Sequence, residues 1–429
     1  MSAPSPPRGP LDPTSPSGLA EHYFRHEHGR LVAVLVRRVG LRHLETVEDA
    51  VQASLLAALT AWVTSGIPHN PGAWLQRVAH NHLMGALRKD HGQKDILDAA
   101  ADENEDHDED PISPTFAGEV RDELLRMLFV CCHETIPQDS RLVLALKTLC
   151  GFSTGEIAFR LFTSEANVHK RLARARDRLR DLDVDTQTPP LESLRSRLPS
   201  VQTVIYLLFN EGYLSTNAEH AIRAELCDEA IRLGTLLANH PVGAAPPTFA
   251  LLALMHLQAA RLASRQDATG GLLLLEEQDR SRWDAEHLQL GATWLERAGR
   301  GDTFTRFHAE AGIAAEHCFA PSFAETRWNE IADLYSMLER IEPSPLHSLN
   351  RAVAVAQALG PHAGLAALEG VVPPTWLDGH YLWDAVLADL HRRAGNSTKA
   401  SEHREQALAA APSPAVRRLL ERRLGTSSQ

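Results

Sequence analysis

The sequence predicts an all-α protein built from several helical domains, on three observations. Ala, Leu, Arg and Glu dominate it, and these are helix formers. Apolar residues recur at helical spacing, while stretches with strand-like alternation are hard to find. At 429 residues the chain is too long for one ordinary core, and domains of roughly 100–150 residues predict three or four units.

The elements follow in order. Residues 1–18, rich in Pro and Ser, read as a disordered tail without the apolar core of a signal peptide. Residues 19–92 form the first helical domain. Phe24, Leu31, Val32, Leu35, Val36 and Val39 share one face of its first helix. Thr46 is placed to cap a second helix, with Asp49 favouring its N-terminus. Pro68 and Pro71 break the chain at a turn, and Pro71 suits the first turn of a third helix. Residues 93–117 are an acidic linker. Its block DENEDHDED repels itself and lacks the Gly and Glu that a calcium loop needs at positions 6 and 12.

Residues 118–182 end in a helix-turn-helix pattern. Ser153 and Glu156 make a capping box, and Ile157, Ala158 and Leu161 follow on one face. Phe162-Thr163 makes the turn. Ser164 then caps a long helix with Val168, Leu172 and Leu179 inward and Lys170, Arg171, Arg174, Arg176, Arg178 and Arg180 elsewhere. Residues 187–290 are a helical extension. Residues 291–429 resemble tetratricopeptide repeats, with Ala388, Ala400, Ala407 and Pro412 at the small-residue and closing-proline positions.

Charge bears on partners. The net charge of −12 opposes nucleic-acid binding only on average. Residues 96–120 hold nine acidic side chains and no Lys or Arg, whereas residues 164–180 hold six cations against two acids. Salt screens distant charge within roughly 10 Å, so the local basic stripe is what a phosphate feels. No run of about 18 apolar residues predicts a membrane span. Five cysteines without a Cys-x-x-Cys fit a reduced cytoplasm. Cys131, Cys132 and His133 are neighbours on a helix, fan out about 100° apart and read as core rather than as a metal site. A phosphate loop, a metal-spaced cluster and a nucleophile elbow are all missing, so neither enzyme activity nor a cofactor is expected.

Several stretches carry a resemblance. Val47-Glu48-Asp49-Ala50-Val51-Gln52-Ala53-Ser54-Leu55 resembles region 2.2 of extracytoplasmic-function sigma factors. Pro71-Gly72-Ala73-Trp74-Leu75-Gln76-Arg77-Val78-Ala79-His80-Asn81 resembles their regions 2.3 and 2.4, and Ser164 to Arg180 resembles the reading helix of region 4. The extension is similar to that of one subgroup with a tetratricopeptide-like C-terminus. Phe209-Asn210-Glu211-Gly212-Tyr213 and Ser344-Pro345-Leu346-His347-Ser348-Leu349-Asn350-Arg351-Ala352 look like its recurring motifs. Ala53 and Gly85 depart from the acidic residues common in the family.

The resemblance implies a sigma factor that directs core RNA polymerase to promoters. Glu48, Asp49, Gln52 and Leu55 would bind the polymerase β′ clamp, and region 4 the β flap. Pro68, His69, Asn70, Trp74, Arg77, Asn81, Arg88 and Lys89 would hold the melted −10 element. Trp74 reads either as a base-stacking ring or as packing beneath the loop. Ser164, Asn167, Lys170, Arg171 and Arg174 would read the −35 element in the major groove, four of them at i, i+3, i+4 and i+7. In the extension, Asn210 and Gly212 read as an αL helix cap, or Asn210, Glu211 and Tyr213 as an interface with the sigma domains. Asp378 reads as a helix cap before His380-Tyr381. A helical-repeat surface also suits a protein or small-molecule ligand. The alternative is a helix-turn-helix regulator with a helical sensor domain that does not bind polymerase.

Overall fold

The computed structural model describes residues 16–90, 122–180, 182, 191–215, 221–267, 270–374, 377 and 380–425. The acidic stretch 93–117 and its calcium-loop reading therefore lie outside the described residues. Described residues are helical throughout, apart from turns, loops and one isolated bridge between Gln266 and Leu272. None of the described helices is long and apolar enough to cross a membrane. The chain divides into two compact units, Met1–Ile157 with Glu165–Val204 and His240–Val242, and Ala158–Ser164 with Ile205–Asn239 and Gly243–Gln429. Residues 191–204, grouped with the extension on sequence grounds, thus fall in the first unit.

The first unit begins with α1 (Pro16–Val39), α2 (Leu44–Ser65) and α3 (Pro71–Asp90). Helix α1 starts inside the stretch read as a tail. Leu31, Val32, Leu35 and Val36 pack inward with Val47, Val51, Trp62, Leu75 and Leu83. Thr46 is not the cap of α2, because a short 3-10 turn at Leu41–His43 runs directly into Leu44. Pro71 does open α3, and the Asn70 side chain accepts from the Ala73 N–H at 3.1 Å, closing the N-terminus.

The same unit continues with α4 (Glu123–Cys131), α5 (Gln138–Thr148), the start of α6 (Thr154–Arg160), which passes into the second unit at Ala158, and α7 (Glu165–Arg180). Asp122 caps α4 by accepting from the Leu125 N–H at 2.9 Å. Cys131 and Cys132 are buried, and burial pushes both thiols up, Cys132 to about 12, so they pack as apolar groups. Helix α1 lies against α4 and the end of α5 with almost no clearance. A Cβ on Gly29 would sit 2.0 Å from the Leu149 carbonyl oxygen. Beside it His28 is 4% exposed, and burial, reinforced by Lys147, lowers its pKa to about 4. Helix α8 (Leu191–Tyr213) contributes its first half here, where Arg197 reaches Glu134 at 2.7 Å.

In the second unit α9 (Ala224–Asn239), α11 (Ala285–Ala298) and α12 (Arg306–Phe319) surround α10 (Pro246–Ala259), whose residues Ala250 to Leu257 are all buried. The sequence FALLALMHL is apolar on every side, as a helix at the centre of a bundle must be. Gly291 lets α11 close on Leu257. Paired helices follow: α13 (Trp328–Ile341) with α14 (Pro345–Leu359), a short α15 (Pro361–Ala366), then α16 (Tyr381–Arg393), α17 (Ser397–Ala409) and α18 (Pro414–Leu424). Gly395, at φ 81°, makes the turn between α16 and α17. Ala388 and Ala407 are buried between them, the close packing that small residues allow. The cap of α16 is His380, which accepts from the Leu382 N–H; Asp378 lies outside the described residues.

Two measurements check this packing. Gly29→Ala forces a carbonyl to move and is expected to destabilise the protein by about 1–3 kcal/mol in urea unfolding. Gly85→Ala on α3, where a Cβ meets nothing within 4 Å, is expected to stabilise by about 0.5–1 kcal/mol. Burial also lowers the pKa of His256 and of His317 to about 4, as it does for His28. Their unfolded forms bind more protons across the window from pH 6.5 down to 4, so stability falls as pH falls through it. His28→Gln is expected to flatten that loss by up to about 1.4 kcal/mol per pH unit, measured as unfolding free energy against pH.

Candidate nucleic-acid interface

Helix α2 is covered on one side and open on the other. Asp49 and Gln52 are exposed, and so are Leu56, Leu59 and Val63, at 64%, 42% and 59%. The spacing i, i+3, i+7, i+10, i+14 puts all five within one narrow arc of the helix. Isolated apolar residues on a surface mean little, but three in a row beside two polar groups form a stripe. Glu48 and Leu55, expected on that face, are instead 6% and 3% exposed. Position 48 lies a turn-fraction of 100° from position 49, which carries it to the covered side.

What covers Glu48 is the second helical pair of the same unit. Its carboxylate accepts from Thr148 Oγ1 at 2.6 Å and from the Arg176 guanidinium. Arg176 also lies 3.3 Å from Glu45, and Arg180 lies 3.6 Å from Glu45. A buried carboxylate is costly unless paired and hydrogen-bonded, and here it is both. Arg176, which the sequence assigned to solvent or phosphate, is thus turned onto α2.

The turn before α3 is open. His69 and Asn70 are exposed and Pro68 half-buried. The Asn70 side chain is engaged as the α3 cap described above. Trp74 is half-buried, with its ring edge-on to the buried Trp62 at 5.8 Å and 62°. The packing reading is met on the side that touches Trp62. Arg77, Asn81, Arg88 and Lys89 are exposed; the first three share an arc and Lys89 lies about 100° off it.

The helix-turn-helix forms as its sequence dictates. The Glu156 carboxylate accepts from the Ser153 N–H at 2.7 Å, and Ser153 Oγ accepts from the Glu156 N–H at 3.1 Å, completing the capping box. Phe162 takes φ 48° at the turn, an uncommon conformation for a bulky residue. Val168, Leu172, Ala175 and Leu179 of α7 are buried, which leaves the opposite face outward. Asn167, Lys170 and Arg174 are exposed on that face. Arg171 is half-buried and lies 3.1 Å from Asp139, a partly exposed pair that a phosphate can replace. Ser164, directly before α7, is exposed. Arg178, eleven residues after Asn167, is exposed and extends the same face.

In the second unit Asn210, Glu211 and Tyr213 lie inside α8 and at its end. Gly212 is helical rather than an αL cap. It is small because α9 presses on it: a Cβ there would sit 2.7 Å from the Arg223 carbonyl and the Cys227 thiol. Glu211 is fully buried and accepts from Ser215 Oγ at 2.6 Å. The Tyr213 ring lies under the Arg265 guanidinium at 3.6 Å. In the other motif, Ser344 caps α14 and Arg351 reaches Glu339 at 3.0 Å, while Leu349 and Ala352 are core. A cavity of about 210 Å³ opens between α12, α13 and α14, lined by His317, Phe323, Trp328, Tyr335 and Asn350, with Arg423 at its edge. Among the described residues no group of three or more His, Cys, Asp or Glu could hold a metal ion.

Comparison with known proteins finds matches along most of the chain. The family described as sigma-70 region 2 matches residues 24–92, and sigma-70 region 4 matches residues 126–179. A family of unknown function matches residues 197–299. An uncharacterized protein of Rhizobium meliloti (strain 1021) is 35% identical over 371 residues, spanning 86% of this chain and 87% of its own. No solved structure matches. The exposed basic face of α7, the capped helix before it, the stripe on α2 and these matches converge: the chain belongs to the sigma-70 family, as a sigma factor of the extracytoplasmic-function-like kind with regions 2 and 4 and a C-terminal extension.

Proposed function

We propose that this sigma factor carries core polymerase to its promoters through three separate surfaces. The face Asp49, Gln52, Leu56, Leu59 and Val63 on α2 docks on the polymerase β′ clamp, with apolar area supplying affinity and the polar pair setting register. Pro68, His69, Asn70 and Trp74 with Arg77, Asn81, Arg88 and Lys89 hold the opened −10 strand. Stacking of an exposed base is worth about 1–3 kcal/mol, and the open side of Trp74 suits it. Asn167, Lys170, Arg171 and Arg174, continued by Arg178, enter the major groove at the −35 element, while region 4 also meets the β flap. Glu48 and Leu55 hold α2 in place and are not docking residues. The second unit modulates the output, and its cavity is the seat for a small ligand with an aromatic or amphipathic ring. No catalytic step is assigned to any residue.

The observation that carries this reading is the outward face of α7: a capped helix, second in its pair, with amide and cationic side chains in its first turns. The stripe on α2 favours a sigma factor over a duplex-binding regulator, which has no need of an apolar docking face.

Transcription in vitro with core polymerase and a promoter library tests the reading, and a protein that neither binds core nor starts transcripts would end it. Asp49→Lys is expected to weaken core binding at least tenfold with helicity unchanged. Lys170→Ala and Arg174→Ala are each expected to lower promoter affinity by about 5- to 150-fold, matching about 1–3 kcal/mol per base contact, and to relax −35 sequence preference. Arg88→Ala, a phosphate contact, should weaken all promoters alike and reduce the salt slope by about one.

A further inference from the structure

The short segment Ala158–Ser164, the end of α6 and the turn before α7, belongs to the second unit. Its Arg160 is held there by a fitted set of acceptors. Nε donates to Glu211 Oε2 at 2.8 Å, and a terminal nitrogen lies 2.7 Å from the same oxygen. That nitrogen also donates to the Asn210 carbonyl at 3.1 Å and to the Leu214 carbonyl. These carbonyls lie at the C-terminal end of α8, where the helix dipole favours a cation; the Asn210 carbonyl also accepts from the Leu214 N–H at 3.0 Å, so it is shared between the two donors. Glu211 is fully buried, with Ser215 on its other oxygen and Arg223 at 3.6 Å. Two further contacts flank the arginine: the rings of Phe159 and Phe162 each meet His380, at 5.5 and 5.8 Å.

We propose that the C-terminal extension carries a guanidinium socket, made by Glu211 and the carbonyls of Asn210 and Leu214, whose ligand is Arg160 of the helix-turn-helix turn. The extension thereby grips the −35-reading hairpin by its turn and sets how region 4 meets DNA. This deepens the sigma-factor reading and rests on it for its consequence. A planar guanidinium with several donors matches one carboxylate and two carbonyls, whereas a lysine ammonium would leave the fork unfilled. Burying a charge pair adds little stability over apolar packing of the same volume, but removing one partner strands the other. The pair is therefore suited to making one connection specific and separable. It also accounts for the Asn-Glu-Gly-Tyr run: the Asn210 carbonyl and Glu211 carboxylate bind, Gly212 admits α9, and Tyr213 ends the helix under Arg265.

The test uses the full-length chain with Arg160→Ala, Arg160→Lys and Glu211→Gln. Hydrogen exchange reads the socket without polymerase. Arg160→Ala is expected to speed exchange at least tenfold in both 158–164 and 210–215, Arg160→Lys to do so in part, and core binding through α2 to stay within twofold of wild type. Ethylguanidinium added to Arg160→Ala is expected to slow exchange in 210–215 but not in 158–164, because the socket refills while the tether stays cut. On promoters with and without an intact −35 element, Arg160→Ala and Glu211→Gln are expected to change −35 dependence at least fivefold. Unchanged exchange in both segments would overturn the socket. Altered exchange with −35 dependence within twofold of an active wild type would overturn its role in reading DNA. A wild type inactive with core would instead strike the sigma-factor reading and leave the exchange result to decide the socket.

Discussion

A carboxylate taken out of water must meet a cation and hydrogen-bond donors, and two buried glutamates impose that constraint on this chain. Glu48 in α2 and Glu211 in α8 are each almost or wholly inaccessible. Each is met by an arginine from the same stretch of 27 residues, Thr154 to Arg180: Arg176 for Glu48 and Arg160 for Glu211. Apolar packing explains why the helices condense, but it is tolerant of sliding and of substitution. The two charge pairs are not tolerant, because a displaced partner leaves a naked charge in a low dielectric. They therefore fix which groups face which, one pair in each unit.

This has a consequence for region 4. Of the cations on α7, Arg176 is committed inward and Arg171 is loosely held by Asp139, while Lys170 and Arg174 stay outward. A helix that looks uniformly basic in sequence is thus divided into a structural side and an open side. The apolar seam Val168, Leu172, Ala175 and Leu179 sets the division, since it determines which way every other residue points.

Much of this was legible in the sequence. The capping box at Ser153, the turn at Phe162-Thr163, the inward seam of α7 and the opening of α3 at Pro71 follow from local chemistry, and local chemistry is what a sequence displays. The helix-pair pattern with Ala388 and Ala407 was legible for the same reason. What failed was knowledge of a second neighbour. Glu48 looks like its neighbour Asp49, and nothing within α2 says that Thr148 and Arg176, a hundred residues on, will cover one and not the other. The exposure of Leu56, Leu59 and Val63 follows from the full packing and not from α2 alone. Thr46 lost its capping role to a 3-10 turn, and Asn210-Gly212 proved to be a helical last turn pressed by its neighbour rather than an αL cap. Apart from Thr46, each miss is a long-range contact overriding a sound local rule.

The contact between α2 and α7 bears on reach. Promoter elements centred about 25 base pairs apart lie roughly 85 Å apart along a straight duplex, at about 3.4 Å per step. Helices joined by a hydrogen-bonded Glu48 and Arg176 cannot straddle that distance. On the proposed reading of two promoter elements, engaging both at once would require the two modules to come apart, exposing Glu48 and freeing Arg176.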